Sequence, residues 1–237
     1  MTHSADAGRL PITTTSEHAR THFERGRTAA HDYRFALARD EFEAALALDP
    51  RFVLALLHRG GSDAEPTETR GFIEAAEVNR SHASEAEGRM IDAFRAFLID
   101  GEYDLAVEIF QELSAAYPAD PYLRSYLGLR LYRNLQRFDE AAAQFREALA
   151  RDPEFVQAYH WLGRIALEQD DVATAEAMFE LHATLAQGEP RPHDSLGLLY
   201  LRQGRFDEAV RAFERALACD PRFDESRGNL ARARAAA

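Results

Sequence analysis

The sequence predicts an all-α protein built from repeated helical hairpins, and three observations predict it. Phenylalanines recur on one beat: Phe213 follows Phe179 by 34 residues, Phe179 follows Phe145 by 34, Phe145 follows Phe110 by 35, and Phe110 follows Phe42 by twice 34. Alanine (Ala38, Ala106, Ala141, Ala175, Ala209), proline (Pro50, Pro118, Pro153, Pro221) and glycine (Gly26, Gly60, Gly128, Gly163, Gly197) keep the same beat. Within a period the apolar residues fall at helical spacing, as in Leu196, Leu199 and Tyr200, then Ala209, Phe213, Ala216 and Leu217. The short polar turn Arg202-Gln203-Gly204-Arg205 lies between them.

Residues 1–13 carry no such pattern and are expected to be disordered. Thr14 with Glu17 reads as a capping box that opens the first helix. The repeat array then occupies 14–223, in units 19–52, 53–86, 87–120, 121–155, 156–189 and 190–223. The second unit is degenerate. Its first helix is short, Val53 to about Arg59, and 60–66 (Gly60-Gly61-Ser62-Asp63-Ala64-Glu65-Pro66) reads as an irregular loop and a weak seam. Phe72 and Ala76 stand there where the pattern expects alanine and a large aromatic. Ser84 with Glu87 opens the third unit, in which Phe94 replaces the glycine. One extra residue between Leu131 and Arg137 accounts for the step of 35. Asp49-Pro50, Asp152-Pro153 and Asp220-Pro221 punctuate joints, because proline stops one helix and can open the next. The fifth unit ends late, at Gln187-Gly188-Glu189-Pro190-Arg191-Pro192. Residues 224–237 read as a closing helix with a polar face, as the last hairpin of an array needs.

The small residues have a packing reason. Antiparallel helices whose axes approach to about 8–10 Å need small side chains where they touch. Gly197 and Ala209 are placed for that contact, with Phe213 filling the space between layers.

The run Leu196-Gly197-Leu198-Leu199-Tyr200, then Gly204-Arg205-Phe206-Asp207-Glu208-Ala209, Phe213-Glu214-Arg215-Ala216-Leu217 and Asp220-Pro221, closely resembles the tetratricopeptide repeat. The resemblance covers 19–223, and Arg137-Phe138-Asp139-Glu140-Ala141 looks like the wording of many bacterial members. It implies a right-handed superhelical solenoid of about six helix-turn-helix repeats plus a C-terminal capping helix. It also implies a concave surface lined by the first helix of each unit, and no fixed activity. On that surface it places Arg95, Tyr122, Tyr126, Tyr132, Arg133, His160, Trp161, Arg164, Arg191, Asp194 and Arg202 as candidate partner-binding residues. Aromatics and arginine are the types enriched at interface hot spots. Two alternatives stand beside this: the aromatics pack between neighbouring first helices, and the arginines pair with nearby carboxylates. Some family members clamp a partner's C-terminal carboxylate with lysine and asparagine. Here no lysine exists, and the first unit offers Phe23 and Arg27 instead.

Composition narrows the function. Apolar residues make up 46%, enough for a sizeable core, and the net charge of −12 opposes nucleic-acid and anionic-membrane binding. Cys219 is the only cysteine, so neither an intramolecular disulfide nor a multi-thiolate zinc site can form. Its acidic neighbour Asp220 disfavours thiolate. No apolar signal or spanning segment is found, so a cytoplasmic location is expected. No phosphate-binding loop, nucleophile elbow or metalloprotease motif occurs. His18 and His22 could share a helix face, but His31 is out of phase with them. No cofactor, metal site or catalytic residue is expected. The function predicted is a non-enzymatic scaffold that binds a protein or peptide segment, carboxylate-bearing if the arginines face the groove. The alternative is self-assembly into a homo-oligomer.

Overall fold

Amphipathic segments of about 14 residues cannot bury their apolar stripes alone, so each folds back on its neighbour. The computed structural model describes residues 8–31, 34–61 and 65–237. Among the described residues there are thirteen α-helices and no strand. The chain divides into two compact units, Met1–Gln144 and Phe145–Ala237.

The first unit holds α1 (Glu17–His31), α2 (Phe35–Leu48), α3 (Val53–Gly61), α4 (Pro66–Val78), α5 (Glu85–Arg95), α6 (Tyr103–Ala116), α7 (Pro121–Arg133) and the start of α8 (Phe138–Arg151). The second holds the rest of α8, then α9 (Gln157–Glu168), α10 (Val172–Leu185), α11 (Pro190–Arg202), α12 (Phe206–Cys219) and α13 (Asp224–Ala236). From α1 to α7 in the first unit, and from α9 to α13 in the second, each helix packs on the next in the chain. The closing helix expected from the sequence is α13.

The residues that set the period form the core. Phe42, Phe110, Phe145, Phe179 and Phe213 are fully buried, as are Ala38, Ala106, Ala141, Ala175 and Ala209. Each buried ring contributes about 2–3 kcal/mol. The glycine beat has a direct cause: a Cβ on Gly163 would come within 2.5 Å of the Phe179 ring, and one on Gly197 within 2.5 Å of Phe213. The phenylalanine of the second helix therefore packs directly against the glycine of the first.

The hairpin turn keeps the same beat in its backbone. Gly101, Gln136, Asp170 and Gly204 all adopt left-handed φ, at 71°, 54°, 56° and 73°. The extra residue of the fourth unit sits in its turn, since α7 and α11 both have 13 residues.

Three local expectations need correction. Of the segment 1–13 expected to be disordered, residues 8–13 run as the start of a strap, 8–16, with Leu10 buried, while residues 1–7 lie outside the described residues. Thr14 does not cap α1. Its hydroxyl donates to the charged carboxylate of Asp49 at 2.7 Å, and Ser16 accepts the Ala19 N–H instead, at 3.2 Å. The loop assigned to 60–66 is shorter, because α3 reaches Gly61 and Pro66 opens α4 at a position where no N–H is needed. Residues 62–64 of that seam lie outside the described residues. The Ser84–Glu87 capping box is present, with Glu87 N–H donating to Ser84 Oγ and Ser84 N–H to the Glu87 carboxylate. Where Phe94 replaces glycine, α5 passes into a π-helical turn, Ala96–Asp100, that ends at left-handed Gly101.

Candidate partner-binding surfaces

In the first unit the first helices of four repeats, α1, α3, α5 and α7, meet around aromatic rings. The His58 ring lies 5.2 Å from Phe23, 5.3 Å from Phe94 and 5.5 Å from Tyr126, and stacks on Phe42 at 5.7 Å. The Tyr126 hydroxyl is 3.3 Å from His58 Nε2. His31 packs edge-on to Tyr122 at 4.8 Å, and Ser125 Oγ lies 3.4 Å from its Nδ1. The Arg27 guanidinium covers the Tyr122 ring at 3.8 Å and comes within 4.0 Å of Asp120. Burial and the Arg27 charge push the His31 pKa down to about 3; the same causes, with His31, take His58 well below its usual value. Burial raises the Tyr126 phenol pKa. Both imidazoles therefore sit neutral in an aromatic interior.

The strap closes over the N-terminal ends of α3, α5 and α7. Leu10 N–H donates to Asp120, Thr13 N–H to Glu87 at 2.7 Å, and Thr15 N–H to Asp49. Arg20 donates to the Ile12 carbonyl at 2.7 Å, and Ala119 N–H to the Gly8 carbonyl at 2.9 Å. Burial alone would raise the Asp49 carboxyl, but hydrogen bonds from Thr14, Thr15 and Arg51 outweigh it and hold the group below its usual range.

These contacts place the candidates of the first unit. Tyr122 and Tyr126 belong to the aromatic interior. Tyr132 is buried, 5.8 Å from Phe138. Arg133 is exposed, and Arg95 is exposed and paired with Asp100 at 3.3 Å.

In the second unit, Trp161 is only 5% exposed and stacks on Phe145 at 6.1 Å. His160 is equally buried, with Ser195 Oγ 3.3 Å from its Nδ1. Asp194 is buried and accepts the Ser226 hydroxyl at 2.6 Å and Asn229 at 3.3 Å, both from α13. Burial raises its carboxyl pKa, more than these bonds lower it. Arg191 is half-buried, 3.7 Å from Glu225 and over the Phe223 ring. Arg202 is exposed and pairs with Asp170 at 2.9 Å. Arg164 is half-exposed and has no ion-pair or hydrogen-bond partner among the described residues. The aromatic candidates thus stabilise the stack, and the arginines carry the accessible chemistry: charge-assisted hydrogen bonds to carboxylates.

The sequence offered no signal for the meeting of His31, His58 and Tyr126, since nothing in the period brings α1 to α7. Asp49 was visible only as a joint residue. His22 faces Glu41 at 2.7 Å while His31 faces Tyr122, consistent with their being out of phase. Among the described residues no group of three or more His, Cys, Asp or Glu could hold a metal ion. No described helix is long and apolar enough to cross a membrane. Burial raises the Cys219 thiol pKa.

Two family models of the tetratricopeptide repeat match the chain, over 126–190 and 190–223. The general transcriptional corepressor ssn6 of Schizosaccharomyces pombe is 29% identical over 97 residues, which is 40% of this chain but 9% of that protein. The crystal structure of the APC/C hetero-tetramer Cut9–Hcn1 superposes with a TM-score of 0.58 at 21% identity, over 91% of this chain and 42% of the other. A thermophilic TPR protein of Thermus thermophilus superposes at 0.56 and 20% identity, over 92% of this chain and 99% of the other. At these identities the structural likeness shows the fold.

Proposed function

We infer the function from one premise: the chain belongs to the tetratricopeptide-repeat family. Its members serve as protein–protein interaction scaffolds, and this chain is read as one that binds a partner protein and catalyses no reaction. A helical-repeat fold alone would not justify the reading. The observation that carries it is the state of the first helices in the second unit. They are held by buried rings and capped by α13, yet they leave Arg164 half-exposed without an internal partner. The occupant this favours is a protein segment bearing carboxylates, gripped on the first-helix face by Arg164 and Arg202. The same charge logic disfavours nucleic acid and anionic membrane, and a cytoplasmic location fits a scaffold of this kind.

The test is affinity purification from the source organism with the intact chain and with an Arg164→Ala/Arg202→Ala variant. The partner so identified is then reconstituted with purified protein. Binding by the intact chain and its loss in the variant, with helical content unchanged, is the expected result. Equal binding by both proteins would reject this face. Light scattering after gel filtration separates the homo-oligomer alternative: a concentration-dependent mass with no captured partner would replace the scaffold reading.

A further inference from the structure

The sixth repeat leaves open a position that the first and fourth fill with a polar pair. In the first, fourth and sixth repeats, the position four before the glycine of the first helix corresponds to the position preceding the phenylalanine of the second. In the first repeat these are His22 and Glu41, 2.7 Å apart. In the fourth they are Arg124 and Gln144, joined at 3.4 Å. In the sixth they are His193 and Ala212. The methyl of Ala212 offers no partner, and a cleft of about 160 Å³ opens between α11 and α12.

Its walls are cationic. Arg211 and Arg215 stand one turn apart on α12, both exposed, and neither has an ion pair or a hydrogen bond among the described residues. Like charges one turn apart repel, and elsewhere in the chain that spacing is used to pair Arg151 with Glu147. The one carboxylate at the rim, Glu208, is already taken: Arg205 grips both its oxygens, at 2.7 and 2.5 Å. Tyr200 and His193 complete the polar lining, with Leu196 as apolar floor. Burial, with the Arg215 charge, lowers the His193 pKa, and burial, with Glu176 and Glu180, raises that of Tyr200. At neutral pH both are therefore uncharged and have a hydrogen to donate.

We propose that the α11–α12 cleft is a binding site for a glutamate side chain of an acidic protein segment. Arg211 and Arg215 supply the charge, His193 and Tyr200 donate hydrogen bonds, and Leu196 with Ala212 packs the side-chain methylenes. At 100° per residue, His193, Leu196 and Tyr200 lie on the opposite side of α11 from Leu198 and Arg202. The site is therefore separate from the first-helix face and does not rest on it.

The experiment titrates the full chain with N-acetylated, C-amidated tetraglutamate at low ionic strength and follows the His193 imidazole resonances. A saturable shift is expected in the intact protein. Each of Arg211→Ala and Arg215→Ala is expected to weaken binding about tenfold, and the double variant to show no shift while keeping its helical content. A parallel titration with inorganic phosphate is expected to move His193 little at the same concentration. An unshifted His193, or a double variant that titrates like the intact chain, overturns the proposal. Equal binding of phosphate also overturns it, in favour of a general anion site.

Discussion

The two units of this chain are made from one 34-residue hairpin, yet they fill its first-helix face differently. In Phe145–Ala237 the pattern is kept: Phe179 lies on Gly163, Phe213 lies on Gly197, and the face between them keeps a half-exposed arginine. In Met1–Gln144 the pattern is broken by a nine-residue α3, by Phe72 and by Phe94, and the face is filled with His31, His58, Tyr122 and Tyr126. A strap seals its edge by presenting backbone N–H groups to three carboxylates at helix N-terminal ends. The lesson is that regular positions specify the hairpin, whereas departures from regularity specify what the hairpin exposes.

The strongest way to break this comparison is to exchange the residues at which the units differ. Phe94→Gly should cost about 3–5 kcal/mol, because it empties an aromatic interior. Gly197→Phe should cost about 3 kcal/mol, because Phe213 has nowhere to move. Denaturant melts decide both, and a neutral Gly197→Phe would show that the glycine contact does not matter.

Acid should separate the units next. A histidine held neutral by burial binds no proton that the unfolded chain, titrating near 6.5, would bind. Its stabilisation is complete above that value and is lost as pH falls toward the folded pKa. For His31, folded near 3, the loss should be about 2 kcal/mol by pH 5. His58 has the same sign. In the second unit the counterparts are His182, at about 4, and the less buried His193, so the first unit carries the heavier acid load. Trp161, the only tryptophan, reports the second unit, and far-ultraviolet dichroism reports both. Helical signal should therefore fall at a higher pH than the Trp161 signal changes, and a simultaneous transition would refute the difference.

Removing residues 1–13 should cost about 2 kcal/mol, from the burial of Leu10 and the bonds to Glu87 and Asp120. Hydrogen exchange should quicken at the starts of α5 and α7 and stay unchanged in α11 and α12. The smallest effect is expected from Ala212→Glu, which copies the first repeat's His22–Glu41 pair into the sixth. Ala212 is buried but borders the cleft, so stability should fall by about 1 kcal/mol. The introduced carboxylate should raise the His193 pKa, read by NMR titration, and abolish tetraglutamate binding.

Much of the fold was legible because a period is a statement about local packing. Phe42, Phe179 and Phe213 repeat since each must cover a glycine on its partner helix, and Ser84 with Glu87 marks a helix start within four residues. The candidate surface was less legible. Trp161 and Asp194 occupy first-helix positions, but their exposure depends on Phe145 and on Ser226 of α13, which no spacing on α9 or α11 reveals.

The sequence by itself determined that this chain folds into helical hairpins, where the regular ones turn, and that its repeats resemble those of the tetratricopeptide family. These are short-range consequences of side-chain size and helical periodicity. Only the tertiary structure decided which first-helix faces stay open. That depends on contacts between residues far apart in the chain, such as Arg27 with Tyr122, and a backbone period places no constraint on them.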